Sequence, residues 1–420
     1  MRALLTIIVF LIAATPAAAA PPWSDPANLS TAHEFIDAPT LAFSSTGTGL
    51  ATWTAQDGVG NAATTGTFDA PLGAPEHLVS RTAVISPPVL YGSTRTAAAR
   101  LNQKRLSIVF GRTDGSFGAP ELIADRANIR SVVLAGNAQG ELMLAWFEDR
   151  GVTTDRVYIA LRIHGKPWTP PLLVATDRVR SVSAAVSPKG ALLVAYDARG
   201  VIKARYKPAT ATLFRHVQTI QSEPTFFAKL RTAVTNNGRA YIAWAAQFLS
   251  EGGDRGDAFY EVAVQPTGAL KFRAAQLLEQ RPATEQAGGL DLTTNQANGA
   301  TVAWGATTVK AAVTNASATF GAAQTIAPGL EAALAGAPDG RALVAWIANP
   351  GDAGDGALMA SIGVGGTFSA PETVTTGPEA RVPAAAYDAK NNRWGLAWSN
   401  RPNGETRPIQ TFLQASLRAG

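Results

Sequence analysis

A seven-residue phrase recurs eight times along this chain and constrains its fold more than any other feature. The clearest copy is Gly140-Glu-Leu-Met-Leu-Ala-Trp146. The copies end at Trp53, Ala98, Trp146, Tyr196, Trp244, Trp304, Trp346 and Trp398. Six residues before each end stands Gly47, Gly92, Gly140, Gly190, Gly238, Asn298, Gly340 or Asn392. Gly and Asn enter left-handed backbone conformations most cheaply, so each copy opens on a tight turn. The apolar run that follows reads as a strand buried on both faces. Successive copies lie 42 to 60 residues apart, the signature of a repeat architecture.

The third copy displays a four-stranded unit, with strands a to d. Ser131–Gly136 reads as a short apolar strand a, Leu142–Trp146 as b, Val157–Ile163 as c, and the segment from Trp168 to Val174 as d. Pro170 and Pro171 suit an edge strand, where a missing N–H costs little. Strand a is rich in Ala, Val and Gly across the copies, which suits the crowded innermost strand of a ring. Four antiparallel strands per unit, repeated about an axis, make an all-β β-propeller.

Strand d carries its own mark: an aromatic residue, two residues, usually Pro, then an apolar residue. It occurs at Phe68, Phe117, Trp168 and Phe368, and in weaker form at Phe214, Phe272 and Phe320. An eighth copy, Trp23-Ser-Asp-Pro26, stands ahead of the first a strand. The expectation is therefore an eight-bladed propeller over 21–420, closed by an N-terminal strand that completes the last blade. Seven blades would follow if the second unit, interrupted by Pro87-Pro88, were an insertion. Of the nine Trp, only Trp394 lies off the b and d marks, so the Trp residues read as packing between blades.

The c–d turn Arg112-Thr-Asp114-Gly115-Ser-Phe117-Gly-Ala-Pro120 resembles the Asp-box repeat of sialidases and related secreted propellers. Gly366-Thr-Phe368-Ser-Ala-Pro371 resembles the second half of that motif. The resemblance implies a propeller whose Asp-box turns are structural and lie on the face opposite the active site. It covers one turn per blade. The spacing is altered, since Asp114 adjoins Gly115, and no sialidase catalytic residue is matched.

Residues 1–20 read as a secretory signal peptide, with Arg2, an apolar core over Ala3–Ala14 and a small-residue end. That core is too short for a membrane span. The chain has no Cys, which excludes disulfides and thiol catalysis. The net charge of +5 is dispersed, without the basic-aromatic pattern of a nucleic-acid module. The expected protein is a secreted or periplasmic monomer.

The b–c loops and the d–a connections share one face of a propeller, and loops on a rigid scaffold commonly carry function. On that face Arg130 and Arg180 each stand ten residues before their repeat Gly, with Arg231 and Arg381 near equivalent positions. The b–c loops offer Asp149, Asp254, Asp257 and Asp352. Arginines at the mouth and acids at the rim would bind a carboxylate, sulfate or phosphate. Asp254 with Asp257, or Asp352 with Asp355, could form a calcium loop, but neither has EF-hand spacing, so no metal or cofactor is expected. No zinc motif or nucleophile elbow occurs. The expected function is non-catalytic binding of an anionic glycan, cell-surface ligand or protein. The rival is a sialidase-like or other glycan-active hydrolase or lyase using the loop acids, and a third reading is a structural role in the envelope.

Overall fold

The computed structural model describes residues 23–419 except 30–35, 56–59, 68–75, 78–83, 93–94, 103, 112–116, 127, 152–153, 164–165, 222–226, 250–254, 286, 349–355 and 401–411. The described elements are all β, and every strand pairing is antiparallel. Numbered by their b strands, the repeats have innermost a strands Ile36–Phe43, Val84–Ile85 with Val89–Tyr91, Ile129–Gly136, Ser181–Val186, Phe227–Val234, Gly289–Thr294 and Leu330–Gly336. In the eighth repeat the a strand is the second half of Glu372–Asp388. Five sheets have four strands in the order a-b-c-d. In the second repeat Pro87 and Pro88 split strand a, and Ser86 bridges the break. Its N–H donates to Ala99 O at 2.9 Å, and its Oγ accepts the Ala99 N–H at 3.0 Å. The remaining sheet has eight strands, because Glu372–Asp388 serves as d of one repeat and a of the next. The arrangement is propeller-like.

Each a strand lies against the a strand of the following repeat, and Glu372–Asp388 lies against Ile36–Phe43. Ala27–Asn28 pairs with Phe412–Ala419, the c strand of the eighth repeat. The aromatic-x-x-Pro mark leads into strand d rather than lying within it: pairing begins just past the Pro, at Glu121, Leu172 and Glu372. The reason is that Pro has no N–H to give the ladder. The aromatic residue instead bridges the end of strand c, as Phe117 does to Gly111 and Phe320 to Thr314.

The turn reading holds at every copy. Gly47, Gly92, Gly140, Gly190, Gly238, Asn298, Gly340 and Asn392 all have positive φ, from 46° to 95°. A short polar side chain three residues earlier locks many of these turns. Ser187 Oγ accepts the Ala191 N–H at 2.8 Å, and Asn295 Oδ1 accepts the Gly299 N–H at 2.9 Å.

The aromatic residues ending the b strands are buried and face the preceding repeat. Trp146 packs on Ala97 and Ile108, Trp244 on Leu193 and Ile202, and Trp346 on Val309 and Ala311. Trp53 of the first repeat packs on Ala386 and Ala397 of the eighth. Trp394, off the pattern, is buried beside Tyr387 with ring centroids 4.6 Å apart.

A second clamp joins the repeats at their outer edge. Gln276 Oε1 accepts the Phe320 N–H at 3.1 Å and its Nε2 donates to Phe320 O at 2.8 Å. Gln218 brackets Phe272, and Gln324 brackets Phe368, in the same way. Where this position holds Glu, the partner is an Arg on the next c strand: Arg162 pairs with Glu121, and Arg418 with Glu372 at 2.7 Å. The sequence reading missed this signal, an aromatic followed four residues later by Gln or Glu.

Candidate functional site

A cavity of about 630 Å³ opens between the third and fourth repeats, on the face of the b–c loops and d–a connections. Arg130, Arg178, Arg180 and Arg199 line it, with Asp149 and Asp155. Each reaches it through a local device. The a strand of the third repeat bulges between Arg130 and Val133, with Ser131 at φ 46°. Such a bulge re-aims side chains at a sheet's end. Asp149 is tied by its N–H to Asn128 O at 2.9 Å, and its Oδ1 accepts the Gly151 N–H at 2.8 Å. Its Oδ2 lies 3.8 Å from Arg130 Nε, an exposed pair worth little in stability.

Asp155 is buried, and both its oxygens accept backbone N–H groups, from Arg150 at 2.9 Å and Val179 at 2.7 Å. It thereby pins the connection carrying Arg178 and Arg180. The Arg180 N–H donates to Asp197 O at 3.0 Å.

Arg199 is delivered by a two-residue hairpin. Ala198 pairs with Val201, and Arg199 and Gly200 both have positive φ, 53° and 91°. Positive φ at both central residues defines a type I′ turn, whose first position usually takes Asn, Asp or Gly. An Arg there is held at a backbone cost. The buried Asp197 supports the turn by accepting the Gly200 N–H. Burial pushes the Asp197 carboxyl up, against the Gly200 bond and the nearby Arg180 charge.

Of the residues singled out from sequence, the cavity unites Arg130, Arg180 and Asp149. Arg178 and Arg199 were missed. Arg231 is not among the lining residues. Register places Lys229, not Arg231, level with Arg130: Lys229 faces Ala245 and Arg130 faces Phe147, each one residue beyond the b-strand Trp. Arg231 instead pairs with Asp291 of the sixth repeat at 3.4 Å. Lys229 is half-buried near Arg231, Asp291 and Glu331, and burial lowers its ammonium pKa, with Arg231 adding to the shift and the two acids opposing it. Arg381 faces Ser399, one residue past Trp398, and so matches Arg130 in register; its side chain lies outside the described residues. Asp257 accepts a hydrogen bond from Gln280 at 2.6 Å and does not line the cavity. Asp254, Asp352 and Asp355 lie outside the described residues, and the calcium loops with them.

Tyr260 and Glu261 point to opposite sides of their strand, as neighbours on a strand should. Tyr260 is buried and accepts the Gly288 N–H at 2.7 Å, while Glu261 accepts the Trp244 indole N–H at 2.9 Å. Both are structural. Among the described residues no three His, Asp or Glu side chains are grouped to hold a metal ion, and no described helix is long and apolar enough to cross a membrane.

No family model matches the chain, and no curated protein matches it. Solved structures do overlap with it. A protein of unknown function from Dyadobacter fermentans is 12% identical with a TM-score of 0.44, covering 96% of this chain and 98% of its own. A polysaccharide lyase acting on ulvan is 10% identical with a TM-score of 0.49, covering 78% of this chain and 90% of its own. A fucose-specific lectin from Aleuria aurantia is 10% identical with a TM-score of 0.43, covering 68% and 95%.

Proposed function

We propose that this is an exported, monomeric, eight-bladed propeller that binds an anionic ligand without catalysis. The site is the arginine-lined cavity between the third and fourth blades. One observation carries the binding reading: four guanidinium groups share a cavity with two carboxylates, and one of these, Asp155, is committed to backbone N–H groups. The ligand is a carboxylate, sulfate or phosphate, carried on an acidic glycan or a cell-surface partner. Arg supplies the planar, bidentate donors such groups fit. A glycosidase of the ordinary two-carboxyl kind would need a second carboxyl free to exchange a proton, and both oxygens of Asp155 already accept backbone N–H groups. The eight-bladed count and ring closure are supported by the cycle of a-strand neighbours, by Trp53 packing on the eighth repeat, and by the Ala27–Asn28 pairing. Export is supported by the character of residues 1–20.

The test is a glycan array carrying uronate, sulfated and phosphorylated saccharides, probed with residues 21–420 and with the Arg130→Ala/Arg180→Ala variant. Each charge-assisted bond is worth about 1.5–3 kcal/mol, so each change should weaken acidic-glycan binding by about 10- to 100-fold. Binding should also weaken with added salt. Binding untouched by both changes would refute the site.

Arg199→Asn separates the role of this side chain from that of its turn. Asn-Gly is a favoured type I′ pair, so thermal stability should rise by about 0.5–1 kcal/mol as the left-handed Arg is relieved. Affinity for the acidic ligand should fall in the same variant. A gain in stability with unchanged affinity would remove Arg199 from the site.

A further inference from the structure

We infer that a second ligand site, for an uncharged saccharide, lies at the other end of the innermost strands. A cavity of about 680 Å³ opens there, within the roughly 300–1,000 Å³ range of ligand pockets. Five consecutive a strands end at it, with Gly136, Val186, Val234, Thr294 and Gly336 as their last residues, all lining the cavity. The arginine cavity lies at the beginnings of two of these strands. Six residues separate Arg130 from Gly136, a distance of about 20 Å along a strand. The two sites are therefore distinct.

Their chemistry is opposite. No charged residue lines the second cavity, in a chain of net charge +5. Its polar groups are amides. Asn137 and Asn295 are engaged, accepting the Glu141 and Gly299 N–H groups at 2.9 Å each. Gln139, Asn236 and Gln296 are exposed, and their side-chain amides make no hydrogen bond among the described residues. A carboxamide offers a donor and an acceptor side by side, which matches a pair of neighbouring hydroxyls. Pro338 supplies apolar surface for the C–H face of a sugar ring, with the buried Val186 and Val234 forming the floor of the cavity.

The backbone argues against a peptide ligand. Peptides commonly add as a strand to an open edge. Here three N–H groups of the rim turns are already used: Asn137 N–H to Glu141 O at 3.1 Å, Asn295 N–H to Gly299 O at 3.1 Å, and Gln296 N–H to Pro338 O at 3.2 Å. The exposed side-chain amides of Gln139, Asn236 and Gln296 suit hydroxyls instead.

The test uses uncharged oligosaccharides on an array, at about 1 M salt, where the Debye length is about 3 Å and charge attraction is screened. The wild type should retain at least one uncharged saccharide. Gln139→Ala/Asn236→Ala/Gln296→Ala should lose that binding at least about tenfold with its melting curve unchanged, because all three side chains are exposed and make no hydrogen bond among the described residues. Arg130→Ala/Arg180→Ala should retain it, so the outcome is independent of the acidic-ligand site. The inference is overturned if no uncharged saccharide is retained, if the triple variant binds as wild type does, or if an unglycosylated peptide library binds in its place.

Discussion

Trp304→Ala is expected to destabilise the protein by about 3–5 kcal/mol, the usual cost of deleting a buried large aromatic side chain. Trp304 is fully buried at the junction of the fifth and sixth repeats. Its ring stacks on Tyr260 at a centroid distance of 5.7 Å and an interplanar angle of 28°. The packing on Tyr241, Tyr260 and Val262 belongs to the neighbouring repeat, so the cavity left by alanine would open along a joint between sheets. Neither sheet can close it without sliding on the other. The measurement is the midpoint of thermal or urea unfolding. An unchanged midpoint would mean that the b-strand Trp residues do not hold neighbouring repeats together.

Glu279→Ala is expected to destabilise the protein by about 1–3 kcal/mol, for a different reason. Glu279 sits on the outer strand of the fifth repeat and gathers partners from the sixth: Lys310 Nζ at 2.7 Å and the Trp304 indole N–H. From its own strand Arg281 reaches it at 3.2 Å. Arg281 is buried and also donates to Glu285 at 2.8 Å and to Thr307 Oγ1 at 3.0 Å. Removing Glu279 leaves the buried Arg281 and the Trp304 indole N–H short of an acceptor, while the half-buried Lys310 keeps access to water, so the cost is about 1–3 kcal/mol.

Burial by itself would raise the Glu279 carboxyl, but the bonds from Lys310 and Trp304, with the Arg281 and Lys310 charges, outweigh it and hold the group below its ordinary value of 4.5. A depressed carboxylate stabilises the fold above the unfolded value and loses that contribution as pH falls through the folded one. The stability gap between wild type and Glu279→Ala should therefore be full near neutrality and narrow below about pH 4.5. Glu279→Gln, which can keep one acceptor for Trp304, should fall between the two. A gap independent of pH would show that charge is not what Glu279 contributes. Because Trp304 and Glu279 touch, the double variant should lose less than the sum of the single ones.

Much of the scaffold was legible because its determinants are local. A left-handed turn residue must be Gly or Asn at little cost, and all eight of these positions carry positive φ. A strand stretch covered on both faces is apolar, and 142–147 and 192–196 are buried along their whole length. The Gln–Phe clamp was equally present in the spacing. It escaped notice because a Gln on an edge strand looks like a residue facing water until the neighbouring sheet is in place.

The site was harder to read. Arg130, Asp149 and Arg180 could be placed on one face from repeat position alone. Arg199 stands three residues past Tyr196, as Asp149 stands three past Trp146, so its face was equally legible; the left-handed hairpin that aims it was not, because Arg seldom adopts that conformation. Lys229 and Arg231 are two residues apart on one strand, and only the pairing register decides which stands level with Arg130.

The amino-acid sequence by itself determined where strands begin, turn and bury, since turn chemistry and the two-residue period act over a few neighbours. The tertiary structure decided which charges meet. Arg130 and Arg199 are 69 positions apart, yet they line one cavity. That meeting depends on a bulge, a hairpin of two left-handed residues and the spacing of two sheets, all of them relations between segments.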